Sequence, residues 1–260
     1  MLSKNNENNR EVRETDELVV YGKNAVLELL RSDKKIDTLY IDSKREDRQQ
    51  SFIVSSAKEK GAVIKRVHPK KLEALCNNTG HQGVAALVPG IEYKELGEVL
   101  DKSFEKGTAP LFVVCDGIYD PQNLGAIIRT AEVAGADAVI IPKRNSVGVN
   151  STVFRASAGA ASHIDVARVG NLPDAVRELK KRGIFCYAAD MNGNSAYETD
   201  LTGPIALIVG SEGFGVSSLV LKLSDGVVCL PMAGKTNSLN ASVAAGALIY
   251  EIIRQRKYSI

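Results

Sequence analysis

LFVVCDGIYDPQNLGAIIRTAEVA, residues 111–134, changes its hydrophobic period partway along. Leu111 to Cys115 are all apolar, as in a strand buried on both faces. A loop with Gly117, Asp120 and Pro121 follows, and from about Asn123 apolar residues recur at helical spacing. The alternation continues downstream through AVII (138–141), IFCYAA (184–189), IALIV (205–209) and VVCL (227–230), and the chain closes on a long helix over about 240–256. Near-continuous apolar runs with helices between them predict a parallel sheet covered on both faces. Upstream the runs are shorter. Helices are expected over 24–30, 50–60 and 70–76, and strands over 36–41, 62–67 and 83–88, which together make a small α/β sandwich. The expected fold class is therefore α/β, in two domains: 17–90, and 109–260 with the parallel sheet. Residues 91–108 are expected to be a linker holding one short helix. Residues 1–16, Asn-rich and charged without periodicity, are expected to be a disordered tail.

Composition narrows the function. In 260 residues, 33 basic side chains face 31 acidic ones, so neither a polycation nor an acidic tail protein is indicated, whereas a local basic face remains compatible with nucleic acid. One such stretch exists: Lys58, Lys60, Lys65, Arg66, Lys70 and Lys71 against Glu59 alone. It reads equally as a solvated face or as a phosphate-contacting patch, for which Lys65, Arg66, Lys70 and Lys71 are the candidates. With no Trp in the chain and only Tyr93 and His81 nearby, an aromatic platform for single strands is not expected. No apolar run approaches the roughly 20 residues of a membrane span, and the first 20 residues carry no signal-peptide core. The cysteines, Cys76, Cys115, Cys186 and Cys229, form no CxxC pair and are expected to be buried reduced thiols. A cytoplasmic type of protein is the expectation. His68, His81 and His163 are scattered, so no metal is expected.

Three segments carry candidate chemistry. In the first, Asn123 is a possible helix cap, and Arg129 lies six residues on, about 120° around the helix from it. A cap with a surface arginine is one reading; a site at the C-terminal end of a parallel strand is the other. The second, IALIVGSEGFG (205–215), runs a buried strand into three glycines that bracket Glu212. Its G-x-x-G-x-G spacing is not the dinucleotide fingerprint, and a tight turn explains it as well as ligand approach does. The third, VVCLPMAGKTNSLNASVAAGALIYEIIRQR (227–256), places Ser238 and Asn240 at the start of a helix rich in small residues.

Taken together, N-L-G-A-I-I-R-T-A, I-V-G-S-E-G-F-G and L-P-M-A-G-K-T-N-S-L-N-A-S-V-A-A-G, in that order, resemble the SpoU/TrmH family of S-adenosylmethionine-dependent RNA 2′-O-ribose methyltransferases. Tyr21-Gly22 with Asn24-Ala25-Val26, and His81-Gln82-Gly83-Val84-Ala85, resemble that family's ribosomal-protein-like substrate-binding domain. The resemblance implies methylation of a guanosine ribose in 23S rRNA, with a tRNA substrate as the alternative. It implies Arg129 as the catalytic residue, with Asn123, Glu212, Ser238 and Asn240 around the target hydroxyl and Glu212 able to hold Arg129. Backbone groups at Gly210, Leu230 and Leu239 would hold the cofactor. A deep trefoil knot and a homodimer follow from the same resemblance. A guanidinium does not lose its proton in a protein, so an electrostatic role suits Arg129 better than that of a base. The rival classes are an RNA-binding module without catalysis and an α/β enzyme using NAD or ATP.

Overall fold

The computed structural model describes residues 18–32, 35–45, 47–88, 90–235 and 238–258; the expected tail, 1–16, lies outside them. The first domain is a four-stranded sheet of β1 (Leu18–Tyr21), β2 (Thr38–Asp42), β3 (Val63–Val67) and β4 (Val84–Val88), in the order β1-β4-β2-β3. β4 runs antiparallel to both neighbours, and β2 and β3 are parallel. Side-chain alternation divides β4 between two cores. Val84, Ala86 and Val88 pack with α1 (Lys23–Arg31) and α2 (Arg48–Glu59), while Ala85 packs with Leu72 and Cys76 of α3 (Pro69–Cys76). The two motifs of this domain meet although about sixty residues separate them. The amide of Lys23 donates to Gln82 Oε1 at 3.0 Å, and that of Gly22 to the Val84 carbonyl at 3.2 Å.

The second domain follows from α4 (Leu96–Glu105) onward. Its helices are α5 (Pro121–Ala134), α6 (Ser151–Ala156), α7 (Leu172–Lys181), α8 (Ser218–Leu223) and α9 (Ala241–Tyr258). Strands β5 (Leu111–Asp116), β6 (Ala138–Pro142), β7 (Asp165–Val169), β8 (Phe185–Ser195), β9 (Ile205–Gly210) and β10 (Gly226–Cys229) form one all-parallel sheet in the order β10-β8-β9-β5-β6-β7. β5 and β9 are buried almost throughout, which is why their sequences read as unbroken apolar runs. β7 escaped the sequence pattern because Asp165 and Arg168 interrupt it. The strand lies at the sheet edge, where Asp165 bonds Lys102 Nζ at 2.6 Å and the Arg168 guanidinium stacks 4.9 Å from the centre of the Tyr93 ring.

The stretch 91–108 is bound to the second sheet. Lys94 bridges to Ala167 on the β7 edge, the Tyr93 hydroxyl accepts from the Val149 amide at 2.8 Å, and Val99 and Leu100 of α4 are buried. The domains also touch directly, with Arg155 of α6 over the Tyr21 ring at 4.4 Å. All four cysteines are free; Cys76, Cys115 and Cys186 are buried, and Cys229 is partly exposed. Loss of solvation pushes the Cys115 and Cys186 thiols up to about 12 and Cys76 to about 11.

Candidate active site

The second half of β8 and the loops leaving the C-terminal ends of β9 and β10 converge with the start of α9, near the position that parallel sheets favour for ligand sites. After β9 the chain doubles back in a short hairpin, with Ser211 N donating to the Gly215 carbonyl at 3.1 Å and Gly215 N to the Ser211 carbonyl at 2.9 Å. A Cβ on Gly210 would lie 2.0 Å from the carbonyl carbon of Gly215, so the hairpin closes only over a glycine there. Asp116, at the end of β5, ties down the far leg by accepting from Ser217 N at 2.7 Å.

Asn123 does not cap its helix. Asp120 does, accepting from Gln122 N at 2.9 Å, because α5 begins at Pro121. Asn123 is therefore inside the first turn and buried. Its Nδ2 donates to Glu212 Oε1 at 3.1 Å, and its Oδ1 accepts from Asn240 Nδ2 at 2.9 Å. Asn240 Nδ2 also donates to Glu212 Oε1, closing a ring of three side chains from three distant segments. The orientation of the Asn240 amide is dictated by the backbone. Its Oδ1 accepts from Ser242 N at 3.0 Å and Val243 N at 3.3 Å, capping α9, so the NH2 group must face Asn123 and Glu212. One side chain thus both caps a helix and builds the site.

Beside this ring lies a cavity of about 610 Å³ lined by Gly210, Leu230 and Leu239, together with Glu212, Ser238 and Asn240. All three positions expected for the cofactor line it, and Ser238 reaches it without capping α9. Val209, Val228 and Leu248 give it an apolar floor, and polar side chains make up much of the remaining wall. Asp190 and Asn192 form a wall that the sequence reading missed. Their signal was available, since DMNGN directly follows the apolar run of β8 at a strand's C-terminal end.

Arg129 stands apart. It is exposed, does not line the cavity, and makes no hydrogen bond or ion pair among the described residues. The expected hold of Glu212 on Arg129 is absent because Glu212 is taken by Asn123 and Asn240, and because six residues of helix turn the arginine away from Asn123. Arg129 instead shares an outward stripe of α5 with Gln122, Ala126 and Val133. A Cβ on Gly246 of α9 would sit 3.6 Å from Thr130 of α5, so the two helices are neighbours, and α9 adds exposed Val243, Ala247 and Tyr250.

The basic candidates divide. Lys65 lies 5.7 Å from the Tyr40 ring centre, on the α3 side of the sheet where Lys70 and Lys71 are exposed. Arg66, next in the strand, points to the opposite face among Ile41, Gln50 and Val54. Two histidines serve turns. His81 Nδ1 accepts from Gly83 N at 3.1 Å, and His68 Nδ1 from Lys70 N at 3.3 Å. Among the described residues no group of three or more His, Cys, Asp or Glu side chains is placed to hold a metal, and no helix is long and apolar enough to cross a membrane.

The fold and site define a two-domain α/β protein with a strand-end cavity, part apolar and part polar, flanked by an amide–carboxylate ring. The chain belongs to the SpoU rRNA Methylase family, whose model matches residues 110–250; a second model, for RNA 2′-O ribose methyltransferase substrate binding, matches 19–94. It is 44% identical over 238 residues to YacO of Bacillus subtilis (strain 168), named for the TrmH family of tRNA/rRNA methyltransferases, covering 91% of this chain and 95% of that one. The SpoU methyltransferase AviRb from Streptomyces viridochromogenes, solved with AdoMet, superposes with a TM-score of 0.81 at 26% identity over 94% of this chain and 92% of AviRb. The AdoMet-bound rRNA methyltransferase from Sinorhizobium meliloti gives 0.78 at 25% identity, over 95% and 90%. The family resemblance of the three motifs is borne out, and this chain is an RNA methyltransferase of that family.

Proposed function

We propose that the protein methylates a ribose 2′-hydroxyl in RNA, most specifically a guanosine of 23S rRNA, using S-adenosylmethionine. The observation that carries this reading is the closed Asn123–Glu212–Asn240 ring beside the cavity lined by Gly210, Leu230 and Leu239. The cavity suits the cofactor. Apolar walls fit an adenine ring and a thioether-like chain, while Glu212 and Asp190 offer carboxylates to a cationic ligand. When bound, the cofactor supplies an electrophilic methyl group on a positively charged sulfur. Backbone groups at Gly210, Leu230 and Leu239 hold it, and the leucine side chains cover its flat face.

The ring orients the target nucleotide. Asn123 is locked by two hydrogen bonds and Asn240 holds Glu212 in place, so Glu212 presents a fixed acceptor to the ribose, and Ser238 completes the polar side. Arg129 stays protonated, binds the neighbouring phosphate, and stabilises negative charge developing on the attacking oxygen, whose proton passes to solvent water as the O–C bond forms and the methyl–sulfur bond breaks. Because Arg129 faces outward from its own cavity, it acts in the cavity of a second copy, with the α5 and α9 stripes forming the contact of a homodimer. Mixed dimers test this. Arg129→Ala and Asn240→Ala are each expected to lower methyl transfer when assembled alone, and a site shared across the dimer predicts recovery when the two are co-assembled; no recovery removes the shared site. The threading of α9 through a loop, as a trefoil knot, belongs to the same proposal; Ala241, Ala245 and Gly246 allow the close packing it needs.

The deciding experiment maps ribose methylation in RNA from cells with and without the gene. Loss of one 2′-O-methylguanosine in 23S rRNA is expected. Loss in tRNA alone establishes the alternative substrate. An unchanged map, with calorimetry showing preference for NAD or ATP over S-adenosylmethionine, overturns the proposal.

A further inference from the structure

Phe214 occupies the tip of the hairpin beside Glu212 and is 94% exposed, although it belongs to the rim of the cavity. Positive φ angles at Gly213 (90°) and Gly215 (67°) on either side hold it there. A second exposed ring, Tyr119 at 63%, sits on the loop between β5 and α5. A Cβ on Gly117 would lie 3.6 Å from Ser211 Cβ and 3.9 Å from Tyr119 Cε2, so this ring stands at the base of the same hairpin. Two aromatic rings that are largely exposed among the described residues therefore flank the loop carrying Glu212.

We propose that Phe214, assisted by Tyr119, is the stacking surface for the base of the nucleotide being methylated. This rests on the RNA ribose reading above and adds the group that recognises the base. A 2′-hydroxyl reaches the cavity only through its mouth, and the base is joined to the adjacent sugar carbon, so a ribose held at the mouth leaves its base at the rim. In folded RNA that base must leave its stack, and an aromatic ring replaces the lost stacking. Stacking on a ring is tolerant of base identity, so Phe214 and Tyr119 grip the base, and discrimination among bases comes from polar groups nearby.

The chain has no Trp, so Phe214→Trp installs a single reporter. Unmodified transcripts of 23S rRNA and, in parallel, of tRNA serve as probes. RNA is expected to quench the emission of Phe214→Trp, whereas S-adenosylmethionine alone leaves it unchanged. Phe185→Trp, exposed at the start of β8 away from the strand ends that carry the site, reports no RNA. Phe214→Ala is expected to weaken RNA affinity about 10- to 100-fold with cofactor affinity within about twofold; Phe214→Tyr restores it and Phe214→Leu does not. Three results overturn the proposal. They are quenching by cofactor alone with weakened cofactor binding in Phe214→Ala, quenching that follows protein concentration as in a contact between copies, or full RNA affinity in Phe214→Leu. Methyl transfer by the unaltered protein is measured separately. Its absence refutes the ribose reading, whereas its presence with any of those three results refutes only the stacking surface.

Discussion

Replacing Asn240 separates the two tasks that its side chain performs. Asn240→Ala removes the acceptor for Ser242 N and Val243 N and the donor to Asn123 and Glu212. The first loss is that of a helix cap at an exposed position where water reaches the freed amides, costing about 1 kcal/mol. For a protein of this size that lowers Tm by roughly 2–4 °C. The second loss frees the Glu212 carboxylate from a charge-assisted hydrogen bond, an interaction of about 1.5–3 kcal/mol. Expressed fully in the transition state it lowers kcat/KM by about 10- to 150-fold. Asn240→Ser discriminates between them, since serine caps a helix but cannot reach Glu212 with a second donor. Differential scanning calorimetry and transfer of a radiolabelled methyl group to RNA read the two terms independently. Asn240→Ser is expected to recover the part of the Tm loss that comes from the cap, keeping the part that comes from the buried Asn123 Oδ1 it no longer bonds, and to keep the kinetic defect. If it recovers both, Asn240 is only a cap and the three-side-chain ring has no part in the chemistry.

Arg129→Ala is expected to leave Tm unchanged, because the side chain is exposed and makes no hydrogen bond among the described residues, while methyl transfer falls by orders of magnitude; near-normal turnover removes its catalytic role. Gly125→Ala places a Cβ 2.4 Å from that of Ala156 and 2.8 Å from the Val153 carbonyl oxygen, so overpacking of about 1–3 kcal/mol is expected in chemical denaturation, with Ala156→Gly relieving only part of it. Maleimide labelling of the native protein is expected at Cys229, which lines the cavity, before the three buried thiols, and S-adenosylmethionine is expected to slow it. Because burial raises Cys115 and Cys186 from 9.0 to about 12, the unfolded chain releases their protons first; stability falls as pH climbs from about 9 toward 12, a loss that alanine at either position reduces when unfolding is followed against pH. Lys65→Glu, Lys70→Glu and Lys71→Glu are expected to flatten the salt dependence of RNA binding, and Arg66→Glu, on the other face of its sheet, is not; equal slopes for all four return the patch to ordinary surface.

What the sequence discloses depends on how local the physics is. β5, β6, β8, β9 and β10 were legible because a strand buried on both faces writes its environment into consecutive residues. β7 was not, because at the sheet edge its charged residues face Lys102 and Tyr93, partners supplied by distant segments. The stretch 91–108 has the composition of a linker, yet Tyr93, Val99 and Leu100 fasten it to the second domain through contacts that no local pattern announces. Lys65 and Arg66 show the reverse case. Their adjacency suggested a single patch, whereas strand alternation, a rule readable from the sequence itself, sends them to opposite faces. At the site, helical periodicity placed Arg129 about 120° from Asn123, but only the tertiary structure shows that Glu212 is taken by two asparagines. Asn123 lies 89 residues from Glu212 and 117 from Asn240. Once Asn240 Oδ1 must cap α9, its amide has a single orientation available, and that orientation closes the ring on Asn123 and Glu212. Among the described residues the Arg129 guanidinium is thereby left without a carboxylate partner and outside the cavity of its own chain, which is why the chemistry proposed for it calls for the cavity of a second copy.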